Sequence, residues 1–199
     1  MAILCGALSV GGLAGDEWTR LREDRNLTPA GLLRHFAGFA FELGETLQDA
    51  ETFLRRRRGD CDDFASLASQ VLAERGWHTK LVVVMMEGQT HVVCYVREAE
   101  GFLDYNRRAV PDPVVASDGS LEDIAAKVAT AFRSEWWMAS EFVYRGQTTV
   151  FVDNAFPPAT VAKAPVPSRA EIEVVSSPAS VATPATSEVE VTVPAAANP

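Results

Sequence analysis

The chain has 199 residues, with 18 Lys plus Arg against 27 Asp plus Glu and a formal charge of −9. That length suits one domain with a sizeable core, and the acidic balance would repel a phosphate backbone, which argues against nucleic acid as a partner. Three cysteines, at positions 5, 61 and 94, are too few and too scattered for a disulfide framework, no CxxC pair points to zinc, and no cofactor is expected.

From the N-terminus, Ala2 to Ala14 is an apolar and small-residue run ending in Gly12-Leu13-Ala14, the small-x-small form of a signal-peptidase site, followed by Gly15-Asp16-Glu17. No Lys or Arg precedes it, so the basic start of a secretory signal is missing. Residues 1–15 are read as a signal segment, truncated at its start, with export to the periplasm or beyond as the expectation and a cytoplasmic protein with a buried first element as the alternative. The run is shorter than the roughly 20 residues that span a bilayer, so no stable membrane span is expected.

The folded domain is expected over residues 16–156. Thr28-Pro29 has the form of an N-cap followed by Pro at the first helical position, and Leu32, Leu33, Phe36 and Phe39 follow at helical spacing. Asp49 caps a short helix holding Phe53 and Leu54 and leading into Arg55 to Arg58, which reads as a solvated helix end favoured by the dipole. Phe64, Leu67, Ala68, Val71 and Leu72 then recur at i, i+3, i+4, i+7, with Gly76 placed as a C-cap and Cys61 at the start. Beyond Gly76 the period changes from 3.6 to 2, and three antiparallel strands are expected over 79–86, 90–97 and 102–106. Ser120 to Asp123 resembles a capping box opening a helix through Phe132, and Trp136 to Tyr144 with Thr148 to Val152 form a hairpin about Arg145-Gly146-Gln147. Helix followed by sheet gives an α+β domain. From Pro157 to Pro199 the chain is rich in Pro, Ala, Val, Ser and Thr without an aromatic residue or Gly, and is expected to be a disordered tail.

A thiol at a helix start faces unpaired N–H groups and the positive end of the helix dipole, both of which favour thiolate. Cys61 has that place, but Asp60, Asp62 and Asp63 bring negative charge beside it, so a cationic partner is needed. Among three histidines, His35 and His78 have helix positions that explain them, whereas His91 opens a strand that otherwise wants apolar residues. Alternation puts His91, Val93 and Tyr95 on one face and Val92, Cys94 and Val96 on the other, so Cys94 reads as a buried hydrophobe pointing away. On the next strand Asp104 falls within reach of His91, where an acid would orient the imidazole and stabilise its charged form. A metal held by Cys61, Asp63 and His91 is disfavoured, because zinc sites with one Cys and no second Cys or His nearby are uncommon.

Gly59-Asp60-Cys61-Asp62-Asp63-Phe64-Ala65, Thr90-His91-Val92 and Leu103-Asp104-Tyr105-Asn106 together resemble the Cys, His and Asp segments of the bacterial transglutaminase-like cysteine peptidases. The resemblance covers residues 50–106 well and the rest only in general layout. It implies a papain-like, transglutaminase-like core with the catalytic helix packed on an antiparallel sheet, the triad Cys61, His91 and Asp104, and thioester chemistry on a protein or peptide amide. Gln48, the amide side chain upstream of Cys61, is the candidate second oxyanion donor beside the Cys61 backbone N–H. Three functions follow in order: a cysteine amidase or peptidase, an acyl transferase of the same chemistry using an amine acceptor, and a degenerate binding domain that keeps only the fold.

Overall fold

The computed structural model of the chain describes residues 12–146 and 148–158. Helix α1 (Gly12–Glu23) begins inside the segment expected as a signal, the rest of which lies outside the described residues, as does almost all of the tail. In α2 (Pro29–His35) the Thr28 hydroxyl accepts the Gly31 N–H at 3.0 Å, and Pro29 sits where its missing N–H costs nothing. The helix stops at His35, earlier than the apolar spacing indicates. Phe36 and Phe39 still reach the core, from the turn that follows.

Two residues, Ala40–Phe41 (β1), pair in parallel with Arg58–Gly59 (β2). Between them α3 (Ala50–Arg56) is capped by Asp49, whose carboxylate accepts the Thr52 N–H, and it ends at Arg57 in a left-handed conformation. The run Arg55 to Arg58 is therefore not one solvated helix end: it turns at Arg57, and Arg56 and Arg58 both pair with Glu42. Helix α4 (Cys61–Ala73) buries Phe64, Leu67, Ala68, Val71 and Leu72 on one side, each of the larger side chains contributing about 1.5–3 kcal/mol by leaving water.

The main sheet has six antiparallel strands in the order β6-β5-β4-β3-β7-β8: β3 (Thr79–Met86), β4 (Gln89–Val96), β5 (Gly101–Leu103), β6 (Val114–Ala116), β7 (Trp136–Arg145) and β8 (Thr148–Ala155). The expected three-stranded meander is its centre, extended by β6 on one side and the β7–β8 hairpin on the other. The third strand stops at Leu103, because Asp104 caps a 3-10 turn over Tyr105–Arg107 instead of continuing the ladder. Helices α1 to α4 share one core with Leu81, Val83, Met85, Val92, Cys94 and Val96 on one face of the sheet. On the opposite face Val82, Val84, Val93, Tyr95 and Phe102 meet α5 (Leu121–Phe132), capped by Ser120. The result is an α+β domain with an antiparallel sheet between two helical layers. Among the described residues no helix is long and apolar enough to cross a membrane.

Candidate active site

The site lies at the end of the sheet where β4 begins and β5 stops. His91 is the third residue of β4, and its Nε2–H donates to Oδ1 of Asp104 at 2.9 Å. The same oxygen accepts the Asn106 N–H at 2.9 Å, which fixes the carboxylate as the cap of its turn. Both residues are only 3 % exposed. Because Nε2 is spent on Asp104, Nδ1 is the ring nitrogen left for another partner, and Cys61 lies close enough to act on the charge of His91. The three residues singled out from the sequence thus meet at one place.

Electrostatics in this pocket follow from burial and pairing. Burial opposes the imidazolium, but the hydrogen bonds and negative charges of Asp104 and Cys61 outweigh it and raise His91 to about 10. Burial likewise opposes the Asp104 carboxylate, while the hydrogen bond and charge of His91, the Asn106 N–H and the charge of Arg107 hold it below its ordinary value. Cys94, in the opposite core, is pushed up to about 12 by burial alone.

Packing holds the elements that carry Cys61 and Asp104 in register. Tyr105, directly after Asp104, is fully buried; its ring stacks on Phe64 of α4 at 5.5 Å and 21°, and its hydroxyl donates to the Ala40 carbonyl at 3.1 Å. Arg108 donates from Nε and Nη2 to the Phe39 carbonyl at 3.1 and 2.9 Å, and from Nη1 to the Tyr105 carbonyl at 2.9 Å. One aromatic stack therefore ties the Asp104 turn to the helix that starts at Cys61, and one guanidinium ties it to the loop after α2. The alternation pattern placed Tyr105 and Asn106 in a strand, which concealed this role.

The acids around Cys61 are mostly turned to backbone. Asp63 accepts the Asp60 N–H at 3.2 Å, the Gln48 N–H at 2.7 Å and the Gln48 amide at 2.6 Å, while Asp60 accepts the Gly44 N–H at 2.9 Å. Gln48 also donates to the Arg58 carbonyl at 3.2 Å, so both hydrogens of its amide are taken. Its place is that of a strap holding the 44–48 segment to the start of α4, and its amide has no hydrogen left for the oxyanion role expected of it. Gly59 is required here, since a Cβ at that position would lie 2.4 Å from Asp63 Oδ2 and 2.8 Å from Gln48 Nε2. Asp62 is the exception among the acids. Burial, contact with the Asp60 carboxyl and the charges of Asp60 and Asp63 raise it to about 8, so near neutral pH it is mostly protonated and adds little negative charge beside the thiol.

No family model matches this chain, and no curated protein does. The resemblance of the three short segments thus stands on their residues and on the geometry above. Among the described residues the one group with metal-ligand spacing is Asp60, Asp62 and Asp63, whose oxygens lie within 4.8 Å of one another, but both Asp63 oxygens are already taken by N–H donors. Phe132, at the end of α5, is a further neighbour of His91 that the sequence does not single out. Its ring lies against the His91 imidazole at 4.7 Å, a contact that helical spacing alone cannot distinguish from ordinary core packing.

Proposed function

We propose that the protein is a cysteine amidase or peptidase of the transglutaminase-like kind, with a papain-like core, in which Cys61 is the nucleophile, His91 the general acid and base, and Asp104 the group that orients His91. The observation that carries this reading is the buried His91–Asp104 hydrogen bond at 2.9 Å, with the Cys61 thiol near enough to act on the charge of the same imidazole. In the reaction the Cys61 thiolate adds to the carbonyl carbon of an amide and the oxyanion is held by the Cys61 backbone N–H. Collapse breaks the C–N bond as His91 gives its proton to the leaving amine, leaving a thioester on Cys61. Neutral His91 then takes a proton from water, the hydroxide adds to the thioester, and the acid leaves with the thiolate restored. Asp104 keeps the imidazole turned so that Nδ1 faces sulfur in both halves.

The test is to mix the protein with an activated ester or a peptide library and to find a thioester by intact mass and peptide mapping. An adduct on Cys61, discharged by hydroxylamine and missing in Cys61→Ala and His91→Ala, is expected. Adducts elsewhere only, or the same adduct in Cys61→Ala, would remove the assignment. Discharge to an added primary amine in preference to water would convert the reading to an acyl transferase.

A further inference from the structure

The hydrogen bond to Asp104 is made at Nε2, on the edge of the His91 ring, so it does not cover the flat faces. Something else must, since the residue is only 3 % exposed. The strand neighbours across the sheet are Val84 and, beyond it, Ala139, both apolar. From α5 comes the ring of Phe132, with centroids 4.7 Å apart and planes at 56°. Phe132 is itself half-buried, so it stands between the imidazole and water.

Its position is fixed by the helix. Leu121, Ile124, Ala125, Val128 and Ala129 form the buried stripe of α5, and Phe132 continues it four residues after Val128. At that point the stripe meets His91 in place of another hydrophobe. The helix then ends at once: Arg133 is left-handed, and the Ser134 N–H bonds the Ala129 carbonyl at 3.0 Å. A terminus closed in this way does not fray as an open one would.

We propose that Phe132 is a positioning residue, whose ring caps the imidazole, keeps water from the His91–Asp104 hydrogen bond and holds Nδ1 turned toward Cys61. The inference rests on the catalytic reading of Cys61 and His91. Two groups act on the charge of His91 in this arrangement, Asp104 from the end of β5 and Cys61 from α4, and Arg107 acts on Asp104 in turn. Charge-assisted hydrogen bonds of this kind strengthen when water is kept out. Uncovered, the ring can hydrate and turn, its N–H spends less time on sulfur, and the thiolate forms only at higher pH.

The experiment is the rate of Cys61 alkylation by iodoacetamide against pH on the full chain, followed by peptide mapping, with near-ultraviolet circular dichroism as the check on folding. In Phe132→Ala and in Phe132→Gln, which keeps length but admits water, the half-maximal point should move up by about one pH unit, roughly a tenfold slower reaction at any pH below both midpoints. Phe132→Leu, which restores apolar cover, should return most of that loss. A folded Ala or Gln variant with the wild-type profile overturns the inference, as does a Leu variant as impaired as Ala or Gln. Should the Ala variant fail to fold, the Gln and Leu variants decide. An ordinary thiol profile in the wild-type protein would instead overturn the catalytic reading, and the role of Phe132 with it.

Discussion

Replacing Asp104 by Asn removes one charge and almost no volume from a pocket where that charge has a single main partner. His91 is raised from 6.5 to about 10 against the opposing effect of burial. At about 1.4 kcal/mol per unit this is on the order of 5 kcal/mol of preference for the imidazolium, shared between Asp104 and Cys61. Breaking a buried pair by removing one member costs about 3–5 kcal/mol when the other stays charged. His91 can shed its proton instead, which caps the loss, so Asp104→Asn should cost roughly 2–4 kcal/mol. The sign of the pH dependence follows from a raised folded-state value: the contribution is fully present below about 6.5 and is lost as pH rises through about 10. The variant should therefore fall furthest below wild type in slightly acid solution and approach it above pH 10. Urea unfolding across that range, with the His91 ring signals followed by NMR, measures both quantities, and single-turnover acylation should fall by less than the ~10⁴ seen in serine triads while substrate binding changes little. An unchanged His91 midpoint in Asp104→Asn, or the same stability loss at every pH, would refute the reasoning.

Cys61 should be the faster of the two described thiols in iodoacetamide labelling of the native protein, with Cys94 modified only after unfolding because it is fully buried and raised to about 12; native labelling of Cys94 at a comparable rate would show that its core opens. Gly59→Ala should destabilise the domain by about 1–3 kcal/mol and slow acylation, since the new methyl group overlaps the Asp63 carboxylate and the Gln48 amide; an unchanged melting curve would mean that the strap yields freely. Ending the chain after Pro158 removes a segment without an aromatic residue and should change stability by less than about 1 kcal/mol, a shift of a few degrees in Tm; a larger drop would show that the removed residues pack on the domain.

The parts legible in the sequence are those fixed by local rules. The N-caps Thr28, Asp49 and Ser120, the stripe of α4, and the alternation of 79–96 all appear in the structure as their chemistry requires. His91 and Asp104 were placed opposite one another because antiparallel neighbours share a face, even though Asp104 lies one residue past the end of its strand. The features that escaped notice are those where a side chain competes with a regular pattern. Asp104 accepts its own chain's Asn106 N–H and stops the strand, Arg57 turns a basic helix end into a bend, and the paired residues of β1 and β2 are too few to show any period. Gln48 sits against Asp63 in the first turn of α4, but which hydrogen-bond partner its amide finds depends on Asp63 and Arg58, and spacing does not encode that competition.

Cys61, His91 and Asp104 fall within a continuous stretch, residues 61–104, whereas the layer over the His91 face of the sheet is supplied by α5, Leu121–Phe132. Protein synthesis delivers these in order, about 5–20 residues per second. A growing chain thus presents α4 and the first three strands of the main sheet while Val82, Val84, Val93 and Phe102 still lack the helix that will cover them. That face stays apolar and uncovered until α5, which begins about three quarters of the way through the described residues, has been made.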